Sequence, residues 1–249
     1  MAGGLAGGIG SASVVLSSGA TVAALAVVNA AGSVLDPGGG CLSGARYGLP
    51  GEFDHLREPS AGEVAAWRPA GFTSLNTTIG VVATDLTLTK AQCGKLAGVA
   101  HDGLARAIRP AHTMVDGDTV FAVATCARPA PWDPPGVYGA REGDATGLAA
   151  HDATGLATGL MAYLAPDGAT GILAGRGTDG ATGLTTGLVT DGAAGQIPAE
   201  PPGADLHELL AAGADVFSRA VAHAVLAATG REEAPAYLDV FPSASRGTS

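Results

Sequence analysis

Two short β-rich runs open the chain, residues 11–16 and 21–29, separated by Ser-Ser-Gly-Ala, a turn signal. The pattern predicts a hairpin. Asp36-Pro37-Gly38-Gly39-Gly40 breaks it, and from there to Leu75 the chain is rich in Pro, Gly and Glu without a sustained period. That stretch reads as an exposed connection. A further strand is predicted over residues 77–84. A helix follows, because Thr89 and Gln92 have capping-box spacing and Leu96, Val99, Ala100, Leu104, Ala107 and Ile108 share one helical face. Pro110 stops it. In HTMVDGDTVFAVAT, residues 112–125, the polar turn Asp116-Gly117-Asp118 runs into a strand over 119–125. An amphipathic helix over 205–229 carries Leu206, Leu209, Leu210, Val216, Phe217, Val221 and Val225, with Asp205 as N-cap and Gly230 as C-cap. Strands followed by helices in this order predict an α+β layered domain.

Between these segments the organisation changes. From Pro129 to Pro202 the chain is dominated by Ala, Thr, Gly and Leu, with ATGL beginning at Ala145, Ala153 and Ala181 and a near copy at Thr186-Gly187-Leu188. The spacing is irregular and large apolar residues are few, so the composition favours a low-complexity insertion, mostly disordered, over a packed solenoid. The expected organisation is one domain built from residues 1–128 and 204–249, interrupted by an insertion over 129–203.

Composition narrows the function classes. The 249 residues suffice for a sizeable core, charged residues make up 14% and hydrophobic ones 47%. A net charge of -10, with no Lys/Arg-rich run, argues against a nucleic-acid partner. Cys41, Cys93 and Cys126 have no CxxC or Cys/His metal spacing and read as reduced thiols of a cytoplasmic protein. MAGGLAGGIG has neither the basic residue nor the long apolar core of a secretory signal, and no apolar run reaches the ~18 residues of a membrane span. The chain is expected to be soluble and intracellular, with no membrane partner.

The chemistry turns on NTTIGVVATD, residues 76–85, where Asn76-Thr77-Thr78 stands at the mouth of a predicted strand. Asparagine ending a loop and threonine entering a strand account for it structurally. The alternative makes Thr77 a chain terminus. A hydroxyl is a weak nucleophile without an adjacent base. An N-terminal residue carries one in its own α-amine, whose pKa of about 7.7–8.0 lies near neutrality. The peptide bond before it must first be cut, and the threonine hydroxyl can do this by attacking the preceding carbonyl to give an ester that water hydrolyses.

Several blocks in order resemble the self-cleaving amide hydrolases that include L-aminopeptidase/D-esterase, β-peptidyl aminopeptidases and the nylon-oligomer (6-aminohexanoate oligomer) hydrolases. They are GGIGSAS at 7–13, AVVNAAGSVLDP at 26–37, NTTIGVVATDLTLTKAQ at 76–92, AHDGLARAIRP at 100–110 and HTMVDGDTVFAVAT at 112–125. ADVFSRAVAHAVLAAT at 214–229 is a weaker echo. The resemblance implies a four-layer αββα sandwich, here incomplete at the N-terminus, and self-cleavage between Asn76 and Thr77. It makes Thr77 the nucleophile, gives Asn29 a part in holding the oxyanion, and places Asp116 and Asp118 beside the nucleophile. A side-chain amide can donate to a developing oxyanion, and carboxylates can orient a hydroxyl and stabilise a terminal ammonium. It implies no metal or cofactor. The implied substrates are short peptides, amino-acid amides or amide oligomers, and the implied assembly is a homo-oligomer.

Competing readings stand beside these. Asn29 at a strand end is also a turn residue, and Asp116-Gly117-Asp118 is also a tight turn without the further acidic ligands of an EF-hand. His101 and Asp102 are adjacent in a helix and do not face each other, so they read as helix surface, as does His223. The remaining histidines have no partner spacing. The glycines at 7–10 lack a phosphate-loop Lys-Ser/Thr. Family members usually carry a lysine just before the GG-x-G block, where this chain has Ala6, and a longer N-terminal stretch. These departures make a truncated, non-catalytic relative acting as a binding or subunit-like protein the alternative. Acyl transfer of the ornithine acetyltransferase kind is a third reading, without its characteristic motifs.

Overall fold

The structure, a computed structural model, describes residues 1–69, 76–132 and 204–246. The ATGL-rich tract, most of the expected insertion, residues 70–75 of the expected connection and the side chain of Asp205 lie outside the described residues. By their contacts the residues divide into Met1–Arg141 with Gly203–Ser249, and Glu142–Pro202. The described strands and helices lie in the first of these units.

Its frame is a four-stranded sheet in the order β1-β2-β3-β4. β1 (Ile9–Val15) and β2 (Thr21–Val27) form the hairpin, paired antiparallel from Ile9↔Val27 to Val15↔Thr21. Gly19 closes the turn at φ 79°, a conformation glycine adopts without steric penalty. β3 (Ile79–Leu86) runs antiparallel to β2, and β4 (Thr119–Arg128) runs parallel to β3. The parallel pair needs a crossover, which α1 precedes and α2 supplies. α1 is the short helix Ala61–Ala66, and α2 is Lys90–Ala107. The Thr89–Gln92 capping box is formed in full, as its spacing predicts.

α3 (Ala204–Leu226) lies with α2 over one face of the sheet. Leu206–Leu226 is long and apolar enough to cross a membrane, with mean hydropathy 1.4, yet Leu209, Val216, Phe217, Val221 and Val225 are buried in the common core. This is the pattern of a core helix. The glycine-rich block at 7–10 is explained by packing. A Cβ on Gly10 would lie 2.2 Å from the backbone nitrogen of Ala224, and one on Gly80 would lie 2.4 Å from the Phe217 ring. A short helix α4 (Tyr237–Val240) and the Phe241 that caps it add Tyr237 and Phe241 to the core.

The opposite face of the sheet is apolar and open. Ile9, Val27 and Ile79 stand side by side in register at 62%, 39% and 47% exposure. The α+β class read from the sequence holds. The described sheet and its helical cover are two adjoining layers of the kind an αββα sandwich contains twice.

The stretch after Asp36 is buried in its first part, against what its composition suggests, whereas residues 49–69 are largely exposed. Ser43–Tyr47 forms a 3₁₀ turn, and Leu42, Ser43 and Gly44 are buried. Asp36 is buried too, paired with Arg46 at 2.6 Å and Arg109 at 3.5 Å. Ala130 is buried and Trp132 packs on the core, so ordered packing continues a few residues beyond Arg128.

Candidate functional site

Strand direction assembles the site. Because β2 and β3 are antiparallel, the end of β2 lies beside the start of β3. Because β3 and β4 are parallel, the start of β4 lies there as well. Asn29, Thr77 and the Asp116-Gly117-Asp118 turn therefore meet at one end of the sheet. The β3–β4 register continues past the strands into a bridge between Asn76 and Asp116.

Every backbone group of the Asn76–Thr77 peptide bond is held. The Thr77 N–H donates to the Asn29 carbonyl at 2.7 Å, and the Gly117 N–H donates to the Asn76 carbonyl at 3.0 Å. The Thr77 hydroxyl donates to that same carbonyl oxygen at 2.6 Å. Thr77 is half-buried, while Asn76 and Thr78 on either side are buried. A Cβ on Gly117 would come within 2.9 Å of Thr77 Oγ1, so glycine keeps the space beside that hydroxyl open.

The side chains singled out beside Thr77 take distinct places. Asp118 Oδ1 accepts from the Thr78 N–H at 2.8 Å, and its side chain is 3% exposed. Its second oxygen accepts from His112 Nδ1 at 2.9 Å. Burial alone pushes the Asp118 carboxyl up; hydrogen bonds from His112 and the Thr78 N–H outweigh it, and the group is held below its ordinary value. Asp116 closes its own turn, accepting from the Thr113 hydroxyl at 2.6 Å and the Thr113 N–H at 3.0 Å. Its other oxygen reaches the Ala31 N–H at 3.5 Å. Asn29 touches Thr77 through its main-chain carbonyl, and its side-chain oxygen accepts from the nitrogen of Met1 at 2.8 Å. The Asn76 carbonyl thus accepts from the Gly117 backbone as well as from the Thr77 hydroxyl, and the carboxylates bond to His112 and to backbone and turn groups around the threonine.

Two histidine readings need correction. His101 is half-buried and its Nδ1 lies 3.3 Å from His112 Nε2, because the loop after α2 folds back over the helix. His223 pairs with Glu52 at 2.7 Å alongside Arg219, tying the 49–56 loop to α3. Sequence reasoning also missed His112 and the Gly117 N–H. The only signal for His112 is its place six residues before Asp118 across a turn, and a backbone donor has no side-chain signature. Among the described residues no group of three or more His, Cys, Asp or Glu side chains is placed to hold a metal.

Comparison with known proteins bears on this arrangement. An uncharacterized aminopeptidase of Mycobacterium tuberculosis (strain ATCC 25618 / H37Rv) is 56% identical over 130 residues, half of this chain and 37% of the relative. A 6-aminohexanoate-oligomer endohydrolase of Kocuria sp. (strain KY2) is 32% identical over 133 residues, 52% of this chain and 36% of the relative. The matches therefore span little more than a third of either relative's length. A solved Burkholderia sp. beta-aminopeptidase superposes over all of this chain and 52% of its own, with 21% identity and a TM-score of 0.46. The sequence pattern of peptidase family S58 matches residues 1–234, and the chain belongs to that family.

Proposed function

We propose that the chain is an amide hydrolase that matures by cutting itself between Asn76 and Thr77 and then uses Thr77 as an N-terminal nucleophile. One observation carries the reading: the Thr77 hydroxyl lies 2.6 Å from the oxygen of the carbonyl it would attack, while the Gly117 N–H holds that oxygen at 3.0 Å. Attack by Oγ1 on the Asn76 carbonyl carbon forms an ester and breaks the bond to the Thr77 nitrogen, which takes up the hydroxyl proton. The Gly117 N–H stabilises the negative charge that develops on the oxygen. Water hydrolyses the ester, leaving a carboxylate on Asn76 and a free amine and hydroxyl on Thr77.

The mature site works the same way on a second amide. The α-amine of Thr77 accepts the hydroxyl proton, the hydroxyl attacks the substrate carbonyl, and the amine product leaves with that proton. Water then releases the acid. Asp118 anchors the backbone one residue after the nucleophile and places a negative charge near the new ammonium. Asp116 fixes the turn that carries Gly117 and Asp118. The Asn29 carbonyl, already 2.7 Å from the Thr77 nitrogen, holds the amine in place after cleavage. The Asn29 side-chain amide is assigned to the substrate oxyanion on the resemblance alone.

Short peptides, amino-acid amides and linear amide oligomers are the substrate class, a choice supported by the aminopeptidase and oligomer-endohydrolase relatives. No cofactor takes part. Three free cysteines support a reducing, cytoplasmic setting, and the open apolar sheet face supports a homo-oligomer.

A second reading is favoured by one observation. Both acidic side chains of the turn bond elsewhere than to the Thr77 hydroxyl. A non-catalytic, subunit-like relative fits that arrangement. Incubating the purified chain with amino-acid p-nitroanilides and a linear 6-aminohexanoate oligomer separates the two. Hydrolysis lost in Thr77→Ala supports the enzyme, and hydrolysis retained in that variant rejects Thr77 as nucleophile.

A further inference from the structure

We propose that His112 is a positioning residue for the self-cleavage reaction: backed by His101, it fixes the Asp118 carboxylate and balances its charge beside the Thr77 bond. The inference rests on the reading of Thr77 as nucleophile. The geometry is a chain of contacts. His101 Nδ1 lies 3.3 Å from His112 Nε2, His112 Nδ1 lies 2.9 Å from Asp118 Oδ2, and Asp118 Oδ1 lies 2.8 Å from the Thr78 nitrogen. The rings of the two histidines meet edge to face at 4.8 Å. His112 holds φ 56°, a left-handed conformation that a non-glycine residue adopts at some energetic cost.

Donor logic fixes the proton positions. Asp118 takes the Thr78 N–H on one oxygen and the Nδ1–H of His112 on the other. When His112 is neutral its Nε2 is a lone pair, and His101 Nδ1–H donates to it. When His112 is charged its Nε2–H donates to a neutral His101. Two imidazolium nitrogens 3.3 Å apart repel strongly, so the pair carries at most one charge, and Asp118 draws it to His112. The groups facing the pair are Asp118 and Asp116 from the turn and Asp102 from α2. In agreement, the hydrogen bond to Asp118 raises the His112 value above 6.5 against the effect of burial. Burial, followed by the charge of His112, lowers that of His101.

The consequence is electrostatic. With His112 charged, the His112–Asp118 pair is neutral and does not oppose negative charge on the Asn76 carbonyl. Once His112 loses its proton, an unbalanced carboxylate sits on the Thr78 N–H, two residues after Asn76, and self-cleavage slows. The test is the rate of self-cleavage of the full chain between pH 5 and 9, followed by gel for the parent and His112→Gln. Glutamine can still donate to Asp118 but carries no charge. The parent is expected to lose rate on an alkaline limb above pH 6.5. His112→Gln is expected to lack that limb and to run about 10-fold slower below it. A parent that splits, with a His112→Gln profile of the same shape, overturns this inference alone. A parent that never splits overturns the reading of Thr77 instead.

Should His112→Gln fail to fold, NMR titration of the imidazoles in the uncleaved Thr77→Ala chain decides. His112 titrating above 6.5, and falling on Asp118→Asn, supports the proposal. His112 titrating below His101 overturns it.

Discussion

Gly117 donates its backbone N–H to the carbonyl of Asn76 at 3.0 Å, and the absence of a side chain at Gly117 leaves room for the Thr77 hydroxyl on the same oxygen. The β3–β4 register produces both features, since it sets residue 117 beside residue 77. The Thr77 hydroxyl, the Asn76 carbonyl and the Gly117 donor are thereby aligned by sheet pairing rather than by a side-chain constellation.

The first prediction concerns that glycine. Gly117→Ala places a Cβ 2.9 Å from Thr77 Oγ1 and displaces the hydroxyl. Gly117 has no positive φ, so alanine fits the backbone itself. Self-cleavage is expected to slow at least about 10-fold, with a thermal transition close to that of the parent. Unchanged fragment appearance on a denaturing gel would rule out this steric role.

A second prediction concerns the seam between sheet and helix. Gly10→Ala sets a methyl 2.2 Å from the Ala224 nitrogen, so α3 must move off β1. A loss of about 2 kcal/mol or more in urea unfolding is expected. A variant as stable as the parent would mean that the helix is seated differently.

Acid stability provides a third. Burial alone would raise the Glu52 carboxyl, but hydrogen bonds from Arg219 and His223 bring it from 4.5 down to about 2. The folded value is the lower one, so this contribution is present above pH 4.5 and is lost as pH falls toward 2. Glu52→Gln leaves Arg219, 5% exposed, without its anion, and is expected to lose about 3 kcal/mol at pH 7. The gap to the parent should shrink on acidification below 4.5. A gap that is constant with pH would contradict the pairing.

Helix α2 gives a fourth. Thr89→Ala removes the hydroxyl that accepts from the Gln92 N–H, and is expected to lower stability by about 1 kcal/mol. Equal stability of variant and parent in the same unfolding measurement would exclude the cap as a contributor.

Legibility in the sequence tracks the range of the interactions. The β1–β2 hairpin and α2 are specified by residues near one another: a turn glycine, a capping box, an apolar face. They form where expected. The stretch from Asp36 to Tyr47 looks exposed by composition because its burial comes from afar. Asp36 takes a second arginine, Arg109, from just past the end of α2 beside its local partner Arg46, and the Tyr237 hydroxyl donates to the Gly40 carbonyl at 2.9 Å. The pairing of His223 with Glu52 has the same origin, since no local period reports on a partner in a distant loop. At the site, Thr77, Asn76 and the two aspartates are recoverable from motif blocks. The contacts of His112 and Gly117 are not, because they exist only once β3 and β4 pair in parallel.

The most direct test of the account is the intact mass of the purified chain beside that of Thr77→Ala. The account predicts two pieces from the parent, one ending at Asn76 and the other beginning at Thr77, and a single uncut chain from the variant. A parent that stays at 24.2 kDa, or a variant that is cut at the same bond, would contradict it.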